Sequence, residues 1–275
     1  MTTINASSRM RVGAVSYLNT KPLVYQFDRF APQAELVFDV PGRLADDLTA
    51  GRLDVALIPS VEYFRDPSYT MVSDACIACR GPVLSVKLFA RVPIAEIRSL
   101  ALDEGSRTSA VLVQILLAKR FGVRPRIESL PVECGLADTQ ADAVLLIGDR
   151  AIYSPPGWFA AVWDVGDEWC QWTGLPFVFA MWVARAGCDL QEIEQALSQS
   201  RDAGLAHLPE IAAAEAAALG LTRPECLAYL RDRLHFQLGP GEREGLALYR
   251  RLAEEMQLID SQSRYADETA NSALS

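Results

Sequence analysis

The sequence predicts an α/β protein built as a two-lobed clamp, with two crossover strands and a helical C-terminal region. Three observations predict it. Short apolar strands alternate with helical stretches from Val12 to Ala184, a pattern that gives parallel sheets with ligand sites beyond the strand ends. Two strand-to-helix junctions, Ser16–Leu23 and Ser106–Ser109, are rich in hydroxyl and amide side chains. Two long apolar strands, Val83–Arg91 and Val178–Ala184, carry the chain out to a second unit and back.

The first strand, Val12–Val15, runs into Ser16-Tyr17-Leu18-Asn19-Thr20-Lys21-Pro22-Leu23. Asn19 or Thr20 is placed to cap a helix reaching Phe27, with Pro22 in its first turn, where a missing N–H costs nothing. The free N–H groups of such a helix end suit an anion. A strand over Leu36–Val40 and a helix over Gly42–Ala50, stopped by Gly51, follow. Asp54–Ile58 is nearly all apolar, as a buried parallel strand should be. A short helix starts at Pro59. The turn at Gly81-Pro82 leads into the first crossover.

The second unit opens with strand Ser99–Leu102. Beyond the Ser106–Ser109 junction, Val111, Leu112, Ile115 and Leu116 have helical spacing, and Gly122 closes that helix. Ile127–Leu130, Ala143–Ile147 and Val162–Val165 read as strands, and a turn at Thr173-Gly174 leads into the return crossover. From Asp189 onward the pattern is helical, and these helices are expected to pack on the first unit alone. Asp189 with Glu192, and Thr222 with Glu225, form capping-box patterns. A last amphipathic helix covers Glu242–Leu258. The lobes expected are residues 10–88 with 180–260, and residues 89–179. The polar stretch 261–275 is expected to be disordered.

Composition narrows the function. The chain has 275 residues, half of them hydrophobic and 22% charged, enough to bury a sizeable core. A net charge of −9 argues against a sequence-independent nucleic-acid binder. The polar first ten residues and the lack of a long apolar run give no secretory signal and no membrane span, so a cytoplasmic location is expected. The six cysteines are scattered and read as free thiols. Cys76-Ile77-Ala78-Cys79 has metal or redox spacing, but no second pair or nearby His completes a site. It reads as two thiols on a strand, and neither a metal nor a cofactor is expected. The sequence leaves homo-oligomerisation open.

Ser106, Thr108 and Ser109, with their backbone N–H groups, read either as a carboxylate or phosphate cradle or as an ordinary helix cap. Arg107 joins that cradle or faces solvent. Gly148-Asp149-Arg150 follows a buried strand, so Asp149 faces a cleft or caps the next helix. His207 and His235 lie in the helical region and read as surface or packing residues. Two lobes each presenting a helix N-terminus to a shared cleft suit a small molecule with anionic groups at both ends.

Five stretches in order carry a family resemblance: Ser16-Tyr17-Leu18-Asn19-Thr20-Lys21-Pro22-Leu23, Gly81-Pro82-Val83-Leu84-Ser85, Ser106-Arg107-Thr108-Ser109, Leu145-Leu146-Ile147-Gly148-Asp149 and Trp172-Thr173-Gly174-Leu175-Pro176-Phe177-Val178-Phe179-Ala180. With them the chain resembles the chorismate dehydratases of the futalosine route to menaquinone, a family with a type II periplasmic-binding-protein-like fold. The resemblance implies loss of water from chorismate to give 3-[(1-carboxyvinyl)oxy]benzoate, with the substrate's enolpyruvyl carboxylate taking the ring proton. It implies that Asn19 and Ser85 bind the substrate and assist catalysis. Ser106, Arg107, Thr108, Ser109, Gly148, Asp149 and Thr173 are then substrate-binding candidates, with Asp149 the reserve general base. Two rival readings are a related enzyme that cleaves a cyclic futalosine derivative and a non-catalytic small-anion receptor of the same fold. The first is expected to use a cleft His; the second, a leader, lipid anchor or DNA-binding helix pair ahead of the clamp.

Overall fold

The computed structural model describes residues 9–153 and 157–259. The stretch 261–275 lies outside the described residues, as do the first eight. The first unit contains β1 (Met10–Val15), a 3-10 helix (Leu18–Val24), α1 (Phe27–Phe30), β2 (Ala34–Asp39), α2 (Pro41–Thr49), β3 (Val55–Pro59), α3 (Ser60–Arg65) and β4 (Thr70–Cys79). The second contains β5 (Val86–Ala90), β6 (Ser99–Asp103), α4 (Arg107–Phe121), β7 (Arg126–Leu130), β8 (Ala143–Ile147), α5 (Asp149–Ile152), β9 (Ala161–Asp164) and α6 (Val165–Thr173). The chain returns through β10 (Phe177–Ala184), α7 (Gln191–Ala206), α8 (Leu208–Glu215), α9 (Arg223–Ala228), a π-helical turn (Tyr229–Arg233), β11 (His235–Gln237) and α10 (Pro240–Glu255).

Two sheets result. The first has the order β11-β4-β10-β3-β1-β2, the second β7-β6-β8-β5-β9. Each has the expected parallel centre: β1 pairs parallel with β2 and β3, and β6 with β7 and β8. The returning strands are antiparallel. β10 runs against β3 and β4, and β5 against β8 and β9. In β8, Ala143, Leu145 and Ile147 face the main core while Val144 and Leu146 enter a smaller cluster with Phe89 and Leu130. Both faces are buried, which is why this strand reads as an unbroken apolar run.

The crossings lie slightly upstream of the expected boundaries. Val86–Leu88 already pair with β8 and β9, so the chain crosses at 80–85 rather than near Leu88. It returns at 174–176, because Phe177 already pairs with Cys79 of β4. Gly51 and Gly122, at φ +70° and +69°, stop α2 and α4 as expected. Three expectations need correction. The Asp189–Glu192 capping box does not form: Leu190 holds the N-cap position of α7, and Glu192 instead accepts from Gln33 at 2.7 Å. The region after Asp189 also contains β11, which pairs with β4. Finally, the C-terminal helices do not pack on the first lobe alone. The Tyr249 hydroxyl on α10 donates to the Thr108 carbonyl on α4 at 3.0 Å, and Lys119 on α4 pairs with Glu255 at 2.8 Å.

Thr222 and Glu225 do form their capping box, with Thr222 Oγ1 accepting from the Glu225 N–H at 3.4 Å. Among the described residues no helix is long and apolar enough to cross a membrane, and no cluster of His, Cys, Asp and Glu could hold a metal ion. Cys76 and Cys79 are buried on β4, and all six cysteines are free thiols.

Candidate active site

A cleft lies between the lobes, where the C-terminal ends of β1, β3, β6 and β8 converge on the crossing at 80–85. Its walls are largely apolar, with Val15, Ile77, Val83, Ile147 and Phe179 among them. Its polar groups come from the two junctions and the crossing. Asn19, Ser85, Ser106, Arg107, Thr108, Ser109 and Gly148 all line it; Asp149 and Thr173 do not.

The first junction differs from expectation. Neither Asn19 nor Thr20 caps the 3-10 helix; Tyr17 holds the N-cap position, without a side-chain bond. The acceptor comes from the other lobe. Asp149 takes the Leu18 N–H at 3.1 Å through Oδ1. A protein carboxylate therefore occupies the helix end that the sequence offers to a substrate anion. Burial lifts the Asp149 carboxyl above its usual value, against the Leu18 N–H, which favours the charged form. Asp149 thus caps a helix, as one sequence reading had it, but the helix belongs to the opposite lobe. Asn19 is freed by this arrangement. Its Oδ1 accepts from Thr20 Oγ1 at 3.4 Å, and its side chain lines the cavity.

Ser85 is presented by a strained turn. Leu84 has φ +69°, the left-handed region that costs a residue with a side chain about 1–2 kcal/mol. The Asp164 carboxylate holds the turn by accepting from the Val83 N–H at 3.0 Å and the Leu84 N–H at 2.6 Å. The same carboxylate caps α6 by accepting from the Asp167 N–H at 3.1 Å. Burial raises the Asp164 carboxyl, and these three N–H donors oppose it. The Ser85 carbonyl accepts from the Gly148 N–H at 2.9 Å. Gly148 has φ +70°, and a Cβ there would stand 2.8 Å from the Tyr17 ring. The missing side chain is what lets Tyr17 of one lobe rest on the turn after β8 in the other.

At the second junction, α4 points its N-terminus into the cavity. Its first intrahelical bond runs from the Ala110 N–H to the Ser106 carbonyl at 3.0 Å, which leaves the N–H groups of Arg107, Thr108 and Ser109 as the free donors of the first turn. The hydroxyls differ in availability. Thr108 Oγ1 accepts from the Val61 N–H at 3.3 Å and sits 3.4 Å from Ser60 Oγ, so it ties the lobes together. Arg107 lines the cavity mouth, part-exposed, with its guanidinium engaged by carboxylates. It donates to both oxygens of Asp46 at 2.8 Å and lies 3.5 Å from Glu62, bridging the lobes at the cavity mouth. Thr173 closes α6, donating to the Trp169 carbonyl at 2.8 Å and accepting from the Leu175 N–H at 3.1 Å.

Sequence reasoning assigned no role to Tyr17, although it stands inside the quoted junction. Burial, with Asp103 nearby, pushes its phenol up to about 12 despite Arg150. Asp103 is wholly buried; it pairs with Arg150 and accepts from the Gly105 N–H at 3.0 Å. Tyr17 and Arg107 are the only titratable side chains among the described residues lining the cavity. Neither His is there. His207 stacks on Tyr25 and bonds the Ala203 carbonyl, and His235 lies 3.5 Å from Glu242. The site can therefore hold an anion on N–H and hydroxyl donors and orient a bound molecule, and its described lining residues include no carboxylate or imidazole.

A family model described as menaquinone biosynthesis matches residues 10–255. A chorismate dehydratase of Thermus thermophilus is 34% identical over 257 residues, covering 86% of this chain and 93% of the relative. Among solved structures, protein AF1704 from Archaeoglobus fulgidus superposes with a TM-score of 0.71 at 16% identity, covering 93% of this chain and all of that one. The alkanesulfonate-binding protein SsuA from Xanthomonas axonopodis pv. citri, bound to MOPS, gives 0.63 at 13% identity, covering 92% and 94%. At such identities these two likenesses speak to the fold, a periplasmic-binding-protein one.

Proposed function

This chain belongs to the menaquinone biosynthesis family, and from that premise we propose that it is a chorismate dehydratase acting in the futalosine route. The reaction removes the ring proton on the ether-bearing carbon and the hydroxyl on the neighbouring carbon. A carbon–carbon π bond forms, water leaves, and the ring becomes aromatic. The observation that carries the proposal is the cavity's chemistry: donors at both ends and, among the described residues, no carboxylate or imidazole on its walls. A site so furnished cannot itself abstract the ring proton with an ordinary base. The substrate's own enolpyruvyl carboxylate does so, and the protein fixes its geometry, a contribution that can reach about 7–11 kcal/mol of a barrier.

In this assignment Ser106, Ser109 and the first-turn N–H groups of α4 hold the ring carboxylate. Asn19 and Ser85 orient the enolpyruvyl arm and donate to the departing hydroxyl. Gly148 lets Tyr17 close the wall between them. Arg107 and Asp149 serve the closed arrangement of the lobes, and this assignment gives Asp149 no part as base, since it lies off the cavity wall. Thr173 has no contact with the substrate. The six free thiols suit a reducing, cytoplasmic setting.

The test is incubation of the pure protein with chorismate, following the aromatic enolpyruvyl ether by absorbance and mass. Turnover is expected. Asn19→Ala and Ser85→Ala should each lower kcat by about 10²-fold with the fold intact, the loss typical of a removed preorganised donor. Tight binding of chorismate without any product would favour the receptor reading instead.

A further inference from the structure

Tyr229 begins the π-helical turn that continues α9, a long way in sequence from either junction. Its side chain is 2% exposed. Its hydroxyl is buried without a hydrogen-bond partner, one of three such side-chain atoms among the described residues. A buried hydroxyl without a partner is costly, and such exceptions call for an explanation. The polar side chains acting on this one include those of Ser85 and Asn19, with the Asp149 carboxylate and the Cys226 thiol nearby. Ser85 and Asn19 lie near enough to influence the phenol, yet neither closes a bond of good geometry with it. Three polar groups from three separate parts of the chain thus meet, and two of them, Asn19 and Ser85, line the cavity.

We propose that Tyr229 is a positioning residue for Asn19 and Ser85, its hydroxyl completing a donor chain when substrate is bound. The inference rests on the dehydratase reading. Asn19 Oδ1 already accepts from Thr20, so the amide NH2 is the end left to donate to the Tyr229 oxygen. The Tyr229 O–H then donates to Ser85 Oγ, and the Ser85 O–H is left to point at the leaving hydroxyl of the substrate. Burial drives the phenol upward in pKa, which keeps its proton in place and makes Tyr229 a donor rather than an acid. Each bond in such a chain polarises the next, so Ser85 becomes the stronger donor. π-helical turns recur at functional sites, and here one delivers the third member.

Tyr229→Phe keeps the ring and deletes only the hydroxyl. The expected result is a kcat lower by about tenfold, a KM changed little, and a melting temperature equal to or above that of the wild type. In an Ser85→Ala background, Tyr229→Phe should cost nothing further in kcat, because the chain is already cut. Wild-type kcat in Tyr229→Phe, or full additivity with Ser85→Ala, overturns the assignment while leaving the dehydratase reading standing. A lowered melting temperature with kcat and KM affected alike also overturns it, in favour of a packing role. Absence of wild-type turnover overturns both readings together.

Discussion

Leu84 and Gly148 carry the sharpest local demands of the site. Leu84 accepts a left-handed backbone so that Ser85 can face the cavity, and Gly148 leaves space for the Tyr17 ring. The two are linked, since the Gly148 N–H binds the Ser85 carbonyl. Gly148→Ala places a Cβ 2.8 Å from that ring on a backbone of positive φ. It should destabilise the protein by about 1–3 kcal/mol and lower turnover as Tyr17 and Ser85 are pushed apart; thermal melting and kcat together check this. The sequence exposes Gly148 as a residue after a strand. It does not expose why Gly is needed, because the colliding ring comes from a position more than a hundred residues away on the other lobe.

At the scale of elements, α6 connects the return path to the strained turn. Its N-cap residue, Asp164, also holds the Val83 and Leu84 N–H groups. Asp164→Ala removes the carboxylate that three part-buried N–H donors share. Loss of about 1–3 kcal/mol of stability is expected from the unmet N–H groups, together with a fall in kcat as Ser85 loses its frame; calorimetry and steady-state kinetics measure the two. Unaltered kcat would mean that the turn holds itself. Elements with strong apolar runs or glycine stops were legible in the sequence: β8 falls at Ala143–Ile147 as read, and Gly122 ends α4. α6 was not, because its Gly166 and its two Trp residues suggest no helix, and its cap is spent partly on another segment. β11 has three residues and exists through pairing with β4, a tertiary cause that local propensity does not contain. Of the cavity's lining, Asn19, Ser85 and Ser106–Ser109 were named from local pattern and family likeness, but the acceptor at the first helix end was not. Tyr229 was not, since a tyrosine within a helical run carries no mark of what faces it.

At the scale of the molecule, the lobes are fastened on several sides. Asp149 holds Leu18, Thr108 holds Val61, Tyr249 holds Thr108, and Arg107 joins Asp46 and Glu62. One hydrophobic core runs through both, with Leu57 and Trp182 of the first lobe and Leu116 and Leu145 of the second in the same cluster. Unfolding should therefore be a single calorimetric transition rather than two, the van't Hoff and calorimetric enthalpies agreeing; two resolved peaks would show that the lobes melt apart. The sheet order has a further consequence, for the order of assembly. β10 lies between β3 and β4, yet it is synthesised only after the whole second lobe. The second lobe's strands are contiguous in the chain and can pair as they emerge. The first lobe must wait with two open edges, the condition under which a nascent chain pairs with its neighbours. The half of the protein that carries Asn19 is the last to close, and a chain stopped before Phe177 would never close it.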